Sequence, residues 1–469
     1  MLDVIIVGAG TAGLAALREV SKRTDNFLLV NHGPYGTTCA RVGCMPSKAM
    51  IEAANAFHRR EKFAEFGISG AERLAIDIPA VMRRVRKLRD GFVNGTLETT
   101  DDLGERSIQG LARLVAPSTV EVEGQRHEAR AIVLATGSRP FVPAPWRTLG
   151  RRVFTTDDLF DLDDLPRRLA VIGLGAIGVE IAQAAARLGV EVTAFELLET
   201  LAGISDPKVN VAVLAAFGRE MTLHLGAAAE IMATAAGFAV TAGDTRVEVD
   251  GVLVALGRRP NVQNLGLETL GVPLDDKGMP AVDPQTMQIG DLPVFLAGDA
   301  NGRSAILHEA ADEGHIAGLN AVGPTIRRFP RRTSLGIVFI EPNVASVGRR
   351  FAELDEATTA IGEVSFARHG RAQMAQTNEG VLRVYADKAN GRLLGAELCA
   401  PAGEHLAHLL ALAVEGGLTV RQMMRMPFYH PVVEEGLRAA LRDASRALAS
   451  CGDSDLADCL DSAEPPSGS

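Results

Sequence analysis

A chain of 469 residues exceeds what one core ordinarily serves and predicts about two to four domains. With 47% hydrophobic and 23% charged residues, and no uninterrupted apolar run long enough to span a bilayer, it reads as globular rather than membrane-spanning. Its net charge of −10 argues against nucleic acid or an anionic membrane as a general partner, because both reward a basic surface.

The apolar opening, Val4 to Val7 and then Leu14 to Leu17, lacks the basic leader of a signal peptide and is broken by Gly8, Gly10 and Gly13. It reads as a strand, a glycine turn and a helix beginning around Leu14. In such a G-x-G-x-x-G turn the first glycine bends the chain, the second lets a pyrophosphate approach the backbone, and the third lets the helix pack on the strand. A second strand, Phe27 to Val30, ends at Asn31, 23 residues after Gly8.

Next comes Cys39-Ala40-Arg41-Val42-Gly43-Cys44, followed by Met45-Pro46-Ser47-Lys48 and an alanine-rich stretch. Pro46 suits the first turn of a helix, which places Cys44 at a helix entrance where a thiolate is favoured. A structural disulfide closing so short a loop gains little stability. A zinc site lacks a second cysteine or histidine pair at ligand spacing, so no metal is expected. The pair therefore reads as redox-active. The arginine cluster from Arg83 to Arg89 lies among Val81, Val85, Leu88 and Phe92 at helical spacing, and reads as the solvated face of an amphipathic helix.

The strand Ala131 to Ala135 ends in Thr136-Gly137-Ser138, and the acidic, loop-like stretch from Asp157 to Pro166 reads as a hinge. The opening design then repeats. A strand from Leu169 leads into Gly173-Leu174-Gly175-Ala176-Ile177-Gly178, and Glu191 to Phe195 ends at Glu196, 23 residues after Gly173. One such turn is weak evidence; two with the same spacing imply two dinucleotide sites. Glu196 stands where a carboxylate accepts from ribose hydroxyls and repels a 2′-phosphate, and residues 197 to 205 hold no Arg or Lys, which favours NAD over NADP.

Later strands end in Gly257-Arg258-Arg259-Pro260 and in Gly298-Asp299, at strand ends of the kind that meet ligands. From about Thr333 the pattern changes to alternating strands, such as Gly380 to Tyr385, and then to Ala- and Leu-rich helices. His430-Pro431-Val432-Val433-Glu434-Glu435 places a histidine at the mouth of a helix: Pro431 holds His430 extended and itself starts the helix, with Glu434 and Glu435 in its first turn. Cys399 reads as a small core residue. Five cysteines, at 39, 44, 399, 451 and 459, are too few and too uneven for a disulfide scaffold, and the compartment reads as reducing and cytoplasmic. After about Ser450 the composition predicts a disordered tail.

Taken in order over residues 1 to 450, the set Gly8 to Gly13, Cys39 to Lys48, Ala135 to Ser138, Gly173 to Glu180, Gly257 to Asn261, Gly298-Asp299 and His430-Pro431 with Glu435 resembles the pyridine nucleotide-disulfide oxidoreductases. Within them the likeness is greatest to the dihydrolipoamide dehydrogenases. The resemblance implies an α/β fold with two Rossmann-like dinucleotide-binding domains and a C-terminal α+β dimerisation domain. The domains would be an FAD-binding domain in two segments, 1–148 and 271–332, an NAD-binding domain at 149–270, an interface domain at 333–450 and a flexible tail at 451–469.

The same resemblance implies that Cys44 lies against the flavin and Cys39 faces the substrate, and that Lys48 sits near the flavin and pairs with Glu180. His430, oriented by Glu435, would be the base, supplied across a homodimer. FAD would be contacted by Gly8, Gly10, Gly13, Asn31, Lys48, Ala112, Thr136, Gly137, Ser138, Asp299 and Ala310. NAD would be contacted by Gly173, Gly175, Gly178, Glu180, Glu196 and Gly257. The implied activity is electron transfer from dihydrolipoamide, free or on a lipoyl-bearing carrier protein, to NAD⁺. Three departures blur the substrate: Asn31 replaces the usual acid at the FAD ribose, Thr37 and Thr38 replace two glycines, and Phe428 stands where many dihydrolipoamide dehydrogenases carry a histidine. Mercuric reductase chemistry is an alternative suggested by Cys451 and Cys459, and a noncatalytic redox-sensing flavoprotein subunit is another.

Overall fold

In the computed structural model, which describes residues 1–448, the opening strand is Leu2–Val7, with Val4, Ile5 and Ile6 fully buried. The helix after it is Thr11–Val20, capped by Gly10, so it starts inside the glycine turn rather than at Leu14. Apolar periodicity marks where a helix must be buried, while the turn marks where its hydrogen bonding begins. The chain forms two units. One comprises Met1–Met50, Asp77–Leu165 and Val254–Arg331; the other comprises Ile51–Ile76, Pro166–Leu253 and Arg332 onward.

The first unit is built on a sheet in which Ser107–Gln109, Phe27–Asn31, Leu2–Val7, Gln125–Leu134 and Val294–Leu296 lie side by side in parallel. The central strands, Leu2–Val7, Phe27–Asn31, Val294–Leu296 and the second half of Gln125–Leu134, are apolar on both faces because both faces are covered. One side packs against Ala112, Leu114, Val120 and Leu265. The other packs against the helices Thr11–Val20 and Leu307–Ala321. Those two helices come very close: a Cβ at Gly314 would lie 2.1 Å from the Ala12 carbonyl oxygen. An antiparallel meander, Ala112–Ala116, Thr119–Val122 and Gln125–Leu134, extends the sheet.

The basic cluster lies on the helix Ile78–Asp101, as the spacing predicts, but it is not simply a solvated face. Arg84 donates to the Ala49 carbonyl at 3.2 Å, Arg86 to the Leu162 carbonyl at 2.5 Å and to Asp163 at 3.1 Å, and Arg89 pairs with Asp161 and Asp90. The acidic stretch read as a hinge therefore supplies counter-ions to this helix, and it also contains a short helix, Thr156–Leu159, with a capping box at Thr155.

The second unit carries the repeat. Thr222–Leu225, Glu191–Glu196, Arg168–Ile172 and Gly251–Val254 are neighbours in that order, with the helix Ala176–Arg187 following the second glycine turn. An antiparallel trio, Ala229–Ala233, Phe238–Ala242 and Thr245–Val249, accompanies it. The same unit holds a five-stranded antiparallel sheet in the order Leu335–Val338, Asn343–Gly348, Leu393–Ala400, Val381–Asp387 and Thr359–Ser365. The helices Gly403–Glu415 and Glu435–Ser445 pack on it through Leu406, Leu410, Leu437 and Leu441. Cys399 is buried on the strand Leu393–Ala400, where burial pushes its thiol up to about 12. The tail and its Cys451 and Cys459 lie outside the described residues.

Candidate active site

The first glycine turn is shaped for close backbone approach. A Cβ on Gly8, where φ is +107°, would lie 2.2 Å from the Ala135 carbonyl oxygen, and one on Gly13 would lie 1.8 Å from the Gly8 oxygen. A Cβ on Gly10 would meet no heavy atom within 4 Å. The chain itself thus excludes side chains at the outer glycines, while the middle one faces open space at a helix N-terminus. That is the geometry a pyrophosphate needs, so these residues fit a dinucleotide. At the end of the neighbouring strand, Asn31 accepts from the Ala9 N–H through Oδ1 at 3.0 Å and donates to the Gly33 carbonyl through Nδ2 at 3.2 Å.

Four distant segments meet beside this turn. Ser138–Pro140 and Arg258–Pro260 pair antiparallel. Thr136 Oγ1 donates to the Asn261 carbonyl at 2.8 Å, while Asn261 Nδ2 donates to the Thr136 carbonyl at 3.0 Å. The Ser138 hydroxyl donates to Asp299 Oδ2 at 2.6 Å and accepts from Arg258 Nε at 2.8 Å. Gly137 and Gly257 are both left-handed, with φ of +68° and +88°. Ala310 is buried beside Gly298, where a Cβ would come within 3.4 Å of the Ala310 Cβ. Ala112 has its side chain in the apolar core, so only its backbone faces a ligand-binding role.

Two further residues shape this corner. Arg258 orients Ser138, as above. Glu313, 2% exposed, accepts from the Gly298 N–H at 2.8 Å and from Asn301 Nδ2 at 2.7 Å, and lies 3.3 Å from Arg331. Burial raises its carboxyl above the usual range despite these donors. Arg258 was legible as part of the Gly257-to-Asn261 run, whereas nothing local to Glu313 announces a role.

Cys39 lies on the short helix Thr38–Val42 and Cys44 is the first residue of Cys44–His58, with Gly43 between them. Thr37 caps the first helix, accepting from the Ala40 N–H at 3.1 Å, which accounts for one of the two threonines in place of glycine. Both cysteines are thiols here; Cys44 is exposed and Cys39 partly buried. A hydrogen bond to Cys44 and then burial hold the Cys39 thiol far above the ordinary thiol range, against the pull of the Lys48 charge. Lys48 stands one turn beyond Cys44 on its helix.

In the second unit the glycine turn repeats the first. Gly173 has φ of +94°, Gly178 is buried, and a Cβ on Gly175 would meet nothing within 4 Å. Glu196 Oε2 accepts from the Leu174 N–H at 2.6 Å and Oε1 from the Leu198 N–H at 3.2 Å. The Asn31 amide and the Glu196 carboxylate therefore hold equivalent N–H groups in the two turns. Glu180 is buried on Ala176–Arg187 and accepts from the Phe339 N–H at 2.9 Å.

His430 Nδ1 lies 2.9 Å from Glu435 Oε1, and the imidazole is 81% exposed. The hydrogen bond to His430 holds the Glu435 carboxyl below the usual range, assisted by the Val432 N–H. Pro431 does not start the helix: its bond to His430 is cis, and the helix begins at Glu435 with Glu434 as its cap. The turn of residues 430–434 brings the glutamate back onto the imidazole, a contact that sequence spacing along a continuous helix does not produce.

Comparison with known proteins agrees with this layout. A family model described as pyridine nucleotide-disulphide oxidoreductase matches residues 2–314, and the model for that family's dimerisation domain matches residues 335–441. A dihydrolipoyl dehydrogenase of Haloferax volcanii is 29% identical over 466 residues, covering 94% of this chain and 96% of its own. Dihydrolipoyl dehydrogenase 2 of Haloarcula marismortui is 30% identical over 460 residues, covering 93% and 95%. Among solved structures, LpdA from Mycobacterium tuberculosis aligns with a TM-score of 0.82 at 25% identity, over 94% of this chain and 99% of that one. The HOCl-induced flavoprotein disulfide reductase RclA from Escherichia coli shares the fold, with a TM-score of 0.81 at 23% identity over 93% of this chain and 99% of that one.

Proposed function

The chain belongs to the pyridine nucleotide-disulphide oxidoreductases, a family that works with FAD and a nicotinamide dinucleotide, and from that premise we propose that it oxidises a dihydrolipoyl group with NAD⁺. The observation that carries the substrate side is the 2.9 Å contact between His430 Nδ1 and Glu435 Oε1, which presents the other ring nitrogen outward as a proton acceptor.

The residues act in order. With Cys39 and Cys44 joined as a disulfide, the imidazole takes the proton of one substrate thiol, and the resulting thiolate attacks Cys39. The sulfur–sulfur bond breaks, and Cys44 leaves as a thiolate at the start of its helix. The second substrate thiol attacks the mixed disulfide, forms the substrate's own disulfide and releases Cys39, which takes up a proton. When bound, FAD and the nicotinamide dinucleotide supply the two-electron hydride chemistry that returns the pair to the disulfide.

The first turn, with Asn31, Lys48, Thr136, Gly137, Ser138, Asp299, Ala310 and the Ala112 backbone, would hold FAD. The second, with Gly173, Gly175, Gly178, Glu180, Glu196 and Gly257, would hold NAD. Glu196 supports NAD because its charge opposes a 2′-phosphate and residues 197 to 205 offer no cation. The dimerisation domain supports a homodimer in which His430 of the partner subunit serves each cysteine pair. A lipoyl-bearing carrier protein is the proposed donor.

The deciding experiment is a steady-state assay of the purified flavoprotein with dihydrolipoamide and either NAD⁺ or NADP⁺, with mercuric ion tested separately. Saturable NAD⁺ reduction by dihydrolipoamide supports the proposal. Failure to turn over dihydrolipoamide with either coenzyme, alongside brisk reduction of mercuric ion, replaces it.

A further inference from the structure

The second unit contains a buried ionic cluster that the proposed chemistry does not use. Asp206, Glu397 and Tyr385 are 0% exposed and Arg383 is 8% exposed. Asp206 Oδ2 accepts from Arg383 Nη1 at 2.5 Å and from the Tyr385 hydroxyl at 2.7 Å, while its Oδ1 accepts from the Lys208 N–H at 2.9 Å and so caps the helix Pro207–Phe217. Glu397 accepts from the N–H groups of Ser205 and Asp206, both at 2.8 Å, from the Ser205 hydroxyl at 2.5 Å and from the Phe351 N–H at 3.1 Å. Buried carboxylates held by so many donors are costly to assemble and rigid once assembled.

What this cluster holds is the far end of the loop that begins at Glu196. Along that loop the Leu201 N–H donates to Asn210 Oδ1 at 3.0 Å, Asn210 Nδ2 donates to the Glu199 carbonyl at 3.0 Å, and the Ala202 N–H donates to the Leu174 carbonyl of the glycine turn at 2.8 Å. The loop is thus tied to the turn that would receive the phosphates, to the helix after it and, through Ser205 and Asp206, to the strands Val381–Asp387 and Leu393–Ala400. Leu197 and Leu198, the residues beside Glu196, stay exposed.

We infer that Asp206, Arg383, Tyr385 and Glu397 are positioning residues for the nicotinamide dinucleotide: they fix the loop of residues 197–205 so that Glu196 meets the coenzyme preorganised. This rests on the proposal that the second glycine turn is the nicotinamide site. Loosening the cluster makes binding bear the cost of ordering the loop, which raises KM and leaves the hydride step of the bound complex intact.

The test measures NADH oxidation by full-length, flavin-loaded protein with a ferricyanide acceptor, which bypasses the dithiol site. Tyr385→Phe removes one hydrogen bond to Asp206, and Glu397→Gln removes the charge that gathers three N–H groups. Each is expected to raise KM for NADH by about three- to tenfold, the equivalent of one lost hydrogen bond or more, with kcat within about twofold of wild type. Asp206→Asn, which keeps a capping acceptor, is expected to retain part of the wild-type KM, and Asp206→Ala none. Unchanged KM in folded Tyr385→Phe and Glu397→Gln overturns the inference, even if both melt earlier. Should Glu397→Gln fail to fold, Tyr385→Phe alone decides. Gly175→Val separates this from the parent reading: if that variant also leaves KM unchanged, the nicotinamide site itself is misplaced, whereas a large rise in Gly175→Val with none in the cluster variants overturns only the positioning role.

Discussion

On the proposed reading, a single contact, between His430 and Glu435, separates two half-reactions that share one flavin. Replacing the imidazole would then remove the proposed proton acceptor of the dithiol half and none of the residues proposed to contact the coenzyme. His430→Gln is therefore expected to lower dihydrolipoamide oxidation by about 10²- to 10⁴-fold while NADH oxidation by an artificial acceptor changes little, both measured on the same dimeric, flavin-loaded preparation. Glu435→Gln is expected to fall between wild type and His430→Gln. The pH behaviour follows from the lowered Glu435 carboxyl. A carboxyl whose folded pKa is depressed stabilises the pair above its ordinary value and loses that contribution as pH falls through the depressed one. The turn at 430–434 should accordingly stay closed through neutral and mildly acidic pH and open only below the ordinary carboxylate range, readable as a Glu435 carboxyl-carbon chemical shift that keeps its ionised value until then.

Among the elements, the glycine-turn helix and the cysteine helices make opposite demands of their caps. At Gly10 the surrounding space is open, whereas at Gly13 it is filled by the Gly8 carbonyl. Gly10→Val is expected to leave the apoprotein folded but unable to retain flavin. Gly13→Val should destabilise the apoprotein itself by about 1–3 kcal/mol, as overpacking does; flavin content and thermal melting of the apoprotein distinguish them. The Thr38–Val42 helix depends on Thr37, so Thr37→Ala should cost about 0.5–2 kcal/mol locally and speed amide exchange at residues 38–42, with Thr37→Ser restoring protection. Equal exchange in Thr37→Ala and wild type would remove the cap from any account of the redox loop. The helix after the first turn shows why boundaries were less legible than elements: the run from Leu14 announces the buried face, but Thr11 to Gly13 are helical because Gly10 caps them, not because they are apolar.

For the whole molecule, both glycine turns, the close cysteine pair and the change to an antiparallel sheet near Leu335 were legible because each leaves a local pattern in the chain. What brings distant motifs together left none. The pairing of Ser138 with Asp299 and Arg258 is made by segments more than a hundred residues apart, and neither Glu313 nor the Asp206 cluster has a neighbour in sequence that marks it. The arginines of Ile78–Asp101 were legible as a helix face but not as partners of Asp161 and Asp163, since a charge run does not state where its counter-ions lie. Pro431 misled for a related reason: the same residue that starts helices also makes turns, and only the return of Glu435 onto His430 tells which it does here.

The two glycine turns use equivalent contacts, one made by a neutral amide and the other by a carboxylate, so a single unit of charge tells them apart. Discrimination that rests on charge is subject to ionic strength, because the screening length falls from about 10 Å at 0.1 M salt to about 3 Å at 1 M. The proposed preference for NAD⁺ over NADP⁺ is therefore expected to shrink steadily as salt rises, and to become flat in Glu196→Gln. A preference in the wild type that salt leaves untouched would mean that shape, and not repulsion, excludes the extra phosphate. The Asn31 contact to the first turn carries no such charge, and a saline environment should erode the proposed choice of coenzyme without erasing it.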